Sequence, residues 1–168
     1  MNIFLTGFMG SGKTTIGRRM AEIIGFDFVD TDSLIEKEEG NNISRIFSER
    51  GEEAFRNIEH RLLKSLLQRD YTVISTGGGM PCHHHHMDMM LANGKVVYLH
   101  TLPQTLAKRL MRSHTERPLI KGKTPEELQE YIAAKLAERE PFYLRANVVV
   151  QTEEFSMDLL LRSLKLMK

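Results

Sequence analysis

Lys13 and Thr14 close the stretch Gly7-Phe8-Met9-Gly10-Ser11-Gly12-Lys13-Thr14, which reads G-x-x-x-x-G-K-T. Residue types at this spacing serve one chemistry, the cradling of phosphate. Glycines let the backbone curl until successive N–H groups face anionic oxygens, and a lysine can reach the β- and γ-phosphates. A threonine hydroxyl in the next position suits Mg²⁺. The apolar run Ile3-Phe4-Leu5 precedes the loop, and an amphipathic segment over 15–24 follows it. That is the strand–loop–helix setting the motif requires, with the positive end of the new helix aimed at the same spot. The expected ligand is a nucleoside triphosphate.

Carboxylates and guanidinium groups come next. Among the expected strand ends only the second carries an acid, Asp30, and Asp32 follows two residues later. Either suits the N-cap of a helix, but both cannot cap the same one, so at least one is expected to have a chemical role, such as support of Mg²⁺. Over 52–68, Arg56 shares a helical face with Glu59, Leu63 and Leu67, so the glutamate can hold the guanidinium. Arg139 extends the face of Leu128, Ile132 and Leu136. An arginine on an apolar face is either a packed stem with its head in water or an anion ligand. Two such positions on separate helices favour the second role, because a planar carboxylate matches the guanidinium fork.

These residues need a scaffold, and the hydrophobic periodicity supplies one. Strands are expected near 3–5, 26–30, 71–75, 96–99 and 146–151, alternating with helices over 14–24, 33–39, 52–68, 83–92, 101–112, 124–140 and 157–167. A turn or two of helix over 41–50 is expected to break at Gly51. Thr101 with Gln104, and Thr124 with Glu127, have capping-box spacing. Such alternation predicts an α/β fold: a three-layer, five-stranded parallel sheet with helices on both faces. Ligands then sit beyond the carboxyl ends of the strands, at 7–14, 30–32, 76–79 and His100. The basic, aperiodic stretch over about 112–124 reads as a mobile lid over phosphates.

Composition limits the alternatives. The 168 residues make one domain's worth of chain, 41% hydrophobic and 27% charged. A formal charge of +1 offers no field for nucleic acid or a membrane surface. Cys82 is the only cysteine, so no internal disulfide is expected. No apolar stretch approaches the ~20 residues that span a bilayer, and the expected location is the cytoplasm.

Gly-Ser-Gly-Lys-Thr at 10–14, Asp-Thr-Asp at 30–32, Phe-Arg-x-Ile-Glu at 55–59 and Gly-Gly-Gly at 77–79 are followed by Arg-Pro-Leu at 117–119 and Glu-Arg-Glu-Pro-x-Tyr at 138–143. Together, in this order and spacing, they resemble the shikimate kinase family over almost the whole chain. The resemblance implies a single P-loop kinase domain over 1–168, with an acceptor region at about 32–60. It implies transfer of the γ-phosphate of MgATP to the 3-hydroxyl of shikimate, in a monomer with no other partner. ATP would be held by Gly10, Ser11, Gly12, Lys13, Thr14, Thr15 and Arg117, the last from the lid. Shikimate would be held by Asp32, Arg56, Gly78 and Arg139. Lys13, Asp32 and Arg117 would be catalytic, and Thr14 and Asp30 would serve Mg²⁺.

The sequence departs from the family in two places. The run Cys82-His83-His84-His85-His86 stands where a variable loop is expected; on a helix, His83 and His86 would share a face and could bind metal with Cys82. The stretch over 151–155, where the family often offers adenine an arginine, is acidic at Glu153 and Glu154. The rivals are another small-molecule kinase of this fold, such as a gluconate or nucleoside-monophosphate kinase, and a silent nucleotide-binding module. A polyhydroxylated ring acid suits the arginines and the glycine triplet better than a flat base does. A silent module need not keep Lys13, Thr14, Asp30 and Asp32 together.

Overall fold

The computed structural model describes residues 1–113 and 122–167. Its strands are β1 (Asn2–Thr6), β2 (Asp27–Asp30), β3 (Thr72–Ser75), β4 (Gly94–His100) and β5 (Val148–Gln151), all parallel, in the order β2-β3-β1-β4-β5. Its helices are α1 (Lys13–Ile24), α2 (Thr31–Glu39), α3 (Ile43–Leu66), α4 (His86–Asn93), α5 (Pro103–Arg112), α6 (Pro125–Tyr143) and α7 (Met157–Ser163). Alternation along β1 explains the layers. Ile3 and Leu5 pack with Met20 of α1 and Leu160 and Leu161 of α7, whereas Phe4 packs with Phe55, Ile58 and Leu63 of α3 and Met87 and Met90 of α4. Tyr98 joins Phe8, Leu106, Leu110, Ile132 and Tyr143 in a further cluster beneath α5 and α6. Strand interiors buried on both faces are what an all-parallel sheet demands. No helix among the described residues is long and apolar enough to cross a membrane.

Several boundaries differ from the sequence pattern, each for a local reason. α2 starts at Thr31 because Asp30 is its cap, accepting from the Ser33 N–H at 3.1 Å. Gly51 (φ 81°, ψ 169°) kinks α3 where the break was expected, but the chain resumes the helix at once. Thr101 does not cap α5. Its hydroxyl is buried against that of Thr152 at 2.7 Å, and the Leu102 N–H donates instead to Glu153 at 3.0 Å. The second capping box, Thr124 with Glu127, forms as expected. α6 continues past Pro141 to Tyr143, whose fully buried side chain anchors the last turn.

The largest departure is at the histidine run. Met80–Cys82 forms a short 3₁₀ turn around Pro81, His84 and His85 adopt left-handed backbone angles, and α4 begins only at His86. His83 and His86 therefore do not share a helical face, and Cys82 is not brought together with them as a metal site. The lid expected over 112–124 falls largely on residues 114–121, outside the described residues, and Arg117 with it.

Candidate functional site

The phosphate side is built by one loop. Gly10 (φ 84°) and Gly12 (φ 95°) take left-handed angles that side chains resist, and these turns coil the loop beneath the start of α1. Lys13 is buried and folds back across the loop, its Nζ donating to the carbonyls of Gly7 (2.8 Å) and Phe8 (2.9 Å). The Thr14 hydroxyl donates to Asp30 Oδ2 at 2.6 Å, so the end of β2 and the start of α1 meet through these two side chains. Ser11 Oγ is buried with no partner among the described residues.

A cleft of 610 Å³ opens over this loop, lined by 9–16 together with Asp30, Asp32, Gly78, Arg109, Thr152 and Phe155. Every described residue that the resemblance assigns to ATP lies on it. Arg109 was not singled out from the sequence; it reaches from the last turn of α5 to donate to the Gly10 carbonyl at 3.1 Å. Only its place at a helix end beside the basic stretch hinted at it. Phe155 lines the cleft, and Glu153 spends its carboxylate on Leu102. The acidic stretch thus braces α5 and leaves an aromatic side chain for a base.

The other side is assembled around Gly77-Gly78-Gly79. The Gly77 N–H donates to Thr31 Oγ1 at 2.9 Å, which ties the triplet to α2. A Cβ on Gly77 would lie 2.6 Å from Asp32 Oδ1 and 3.1 Å from Glu59 Oε1; one on Gly79 would lie 2.7 Å from both terminal nitrogens of Arg56. Side chains are excluded there because charged groups press against the bare backbone. Arg139 approaches Gly78 from α6, with Nη1 3.4 Å from where a Cβ would stand.

Arg56 is buried and donates to Glu59 Oε2 at 2.7 Å, as the i, i+3 spacing predicts, and also to Glu52 Oε1 at 3.1 Å. Its guanidinium also stacks near Phe55 and Phe47, at 5.3 and 5.8 Å from the ring centres. Arg139 lies 5.5 Å from the Phe8 ring centre, and the Tyr143 hydroxyl donates to the Gly78 carbonyl. Glu59 is pushed up to about 7 by burial; Arg56 opposes the shift and Asp32 adds to it. A buried carboxyl thus sits between a guanidinium that favours its charge and a neighbouring acid that does not.

The family model described as shikimate kinase matches residues 9–166. A shikimate kinase of Parabacteroides distasonis is 44% identical over 152 residues, covering 90% of this chain and 88% of that protein. The chain belongs to the shikimate kinase family. It is accordingly an ATP-dependent kinase.

Among solved structures, shikimate kinase from Bacteroides thetaiotaomicron superimposes with a TM-score of 0.89 at 37% identity, covering 98% of this chain and 94% of that one. The enzyme from Acinetobacter baumannii, solved in complex with shikimate, gives 0.85 at 34% identity, covering 98% and 93%. Asp32 and Gly78 reach the same cleft as the P-loop, and Arg56 and Arg139 flank the triplet at its edge. His100, which the strand-end rule singles out, turns instead toward Glu140, with Nε2 3.5 Å from Oε1. Thr14 and Asp30 fit Mg²⁺: a hydroxyl and a carboxylate oxygen already converge beside the phosphate loop, the hard oxygen set this ion takes along with nucleotide phosphates.

Proposed function

We propose that this chain, as one P-loop kinase domain, transfers the γ-phosphate of MgATP to the 3-hydroxyl of shikimate, a step toward chorismate and the aromatic amino acids. What carries the reading is the convergence of Asp32, Glu59, Arg56 and Arg139 on Gly77-Gly78-Gly79, at the edge of the cleft that holds Lys13 and Thr14. Two guanidinium groups beside a side-chain-free glycine triplet suit a carboxylate on a polyhydroxylated ring better than a flat base.

Phosphoryl transfer is mostly a matter of position and charge. The P-loop amides and Lys13 hold the β- and γ-phosphates, and Gly10, Ser11, Gly12, Thr14 and Thr15 complete the donor cradle. Arg56 and Arg139 hold the shikimate carboxylate, which fixes the ring so that its 3-hydroxyl faces the γ-phosphate. Asp32 then accepts the hydroxyl proton as the new P–O bond forms and the β–γ bridge breaks, with ADP leaving. Bound Mg²⁺ neutralises phosphate charge there, and Thr14 and Asp30 are the residues that would hold it. Arg117, by its place in the family pattern, adds its charge to the phosphates from a lid. The protein acts as a cytoplasmic monomer that engages ATP and shikimate, and neither nucleic acid nor membrane.

ADP release measured across shikimate, gluconate and nucleoside monophosphates tests the reading. Turnover is expected with shikimate alone; turnover with gluconate or a nucleotide and not shikimate overturns it.

A further inference from the structure

Outside the kinase cleft, imidazoles from separate elements meet behind the acceptor loop. His60 lies on α3, His84 in the left-handed turn before α4, and His86 at the first position of α4. Their ring centres form a near-equilateral triangle, 5.2 Å (His60 to His86), 5.3 Å (His60 to His84) and 5.6 Å (His84 to His86) apart. Three imidazoles on one tetrahedral ion, each with a metal–nitrogen bond of about 2.0–2.1 Å, have ring centres roughly 5 Å apart. The triangle already has that size.

We propose that His60, His84 and His86 form a binding site for one divalent transition-metal ion.

His86 is the pre-set ligand. Its Nδ1 lies 2.9 Å from the Met80 carbonyl oxygen, so Nδ1 carries the proton and Nε2 presents a lone pair. A backbone carbonyl that fixes the tautomer of an imidazole is the usual support behind a metal-bound histidine. Nε2 faces His60 Nδ1 at 3.0 Å. Two nitrogens on a tetrahedral ion stand roughly 3.3 Å apart, so the pair need open by only a fraction of an ångström. His60 Nδ1 then exchanges its proton for the ion while Nε2 takes one from water, and the ring stays neutral. Burial lowers both groups from the ordinary imidazole value, His86 to about 4, so both are neutral near pH 7.

His84 completes the site by rotation. Among the described residues no three His, Cys, Asp or Glu side chains already stand in coordinating position, but His84 is exposed and its ring can turn inward. Imidazole ligands with no carboxylate select zinc, cobalt, nickel or copper over magnesium, which keeps this ion apart from the nucleotide's. The fourth position is left to water.

Co²⁺ titration of the untagged, chelator-treated full chain, followed by its visible absorption and by Zn²⁺ competition, tests the proposal. One equivalent should bind with a tetrahedral spectrum. His60→Gln and His84→Ala should each weaken binding at least about 10-fold, the scale on which even supporting residues act. His83→Ala and His85→Ala should leave it unchanged. His60 and His84 are solvent-accessible, so these variants keep their fold where a change at buried His86 would not. Equal losses at all of 83–85 would mean ordinary chelation by an exposed run. That result, more than one equivalent bound, or indifference to His60→Gln overturns the site.

Discussion

Between Gly7 and Thr14 the phosphate cradle is contained in one loop and the start of one helix; among the described residues Asp30 and Arg109 bond to it from elsewhere, and Thr152 and Phe155 line the cleft beyond it. The acceptor half has no such stretch. Asp32 comes from α2, Arg56 and Glu59 from α3, the glycine triplet from the end of β3, and Arg139 from α6. The two halves also bind by different means. On the proposed reading, backbone amides and a helix end serve phosphate on one side, while Arg56, buried and braced by Glu52 and Glu59, and the half-buried Arg139 serve a carboxylate on the other. A local motif can be carried by almost any α/β sheet. An acceptor site drawn from four elements depends on the whole fold, and on the proposed reading substrate choice lies there.

The comparison can be broken at the seam between the halves. Asp32→Asn keeps size and removes the base, so kcat should fall by about 10²–10⁴, the usual worth of a positioned general base. MgATP binding should survive, as measured by calorimetry on the variant. Near-parental kcat would remove Asp32 from the chemistry and leave it a helix residue beside Gly77.

On the donor side, Lys13→Ala should cost about 10²–10³ in kcat, the scale for losing one preorganised charge-stabilising group. Shikimate affinity should stay within a few-fold, since Lys13 lies against the Gly7 and Phe8 carbonyls of the phosphate loop. A large loss of shikimate affinity would mean the halves are not separately built.

A smaller effect sharpens the acceptor side. Glu59 titrates near 7 in the folded chain against an ordinary 4.5, raised first by burial. The folded state therefore binds the extra proton between those values. The contribution to stability is full below about 4.5 and is lost as pH rises through about 7. Denaturation midpoints across this window should fall with rising pH, by a difference on the order of a few kcal/mol at most, and Glu59→Gln should flatten the profile. Because Asp32 is among the groups that raise Glu59, Asp32→Asn should move the fall to lower pH. An unchanged slope in Glu59→Gln would assign the pH dependence elsewhere.

How much of this was legible in the chain follows the same division. The phosphate loop, the strand alternation and the Arg56–Glu59 pair depend on spacings of a few residues, and each is present where the spacing places it. The joining of Asp32, Arg56 and Arg139 at one glycine triplet depends on which strands neighbour which. The residue pattern alone gave only two arginines on apolar faces, and the family resemblance supplied the rest. Misreadings arose where a distant partner outbid a local one. Thr101 has the spacing of a cap, yet its hydroxyl meets Thr152, fifty-one residues on. His83 and His84 look like the first turn of a helix, but Pro81 in the 3₁₀ turn and the Met80 carbonyl, claimed by His86, delay α4. Arg109 looked like one more basic residue at a helix end, and only the packing of α5 over the P-loop brings it to Gly10.

The central claim, that the guanidinium groups hold the acceptor and leave the nucleotide alone, is tested most directly by calorimetry of Arg139→Ala with each ligand in turn. Arg139 stands against Gly78 and the Phe8 ring, so the fold should tolerate the change. Shikimate should weaken by roughly 2–5 kcal/mol, about thirty- to several-thousand-fold, the cost of stripping one member from a buried charge pair. MgATP should bind as tightly as before. Parental shikimate affinity, or an equal loss for both ligands, would contradict the account.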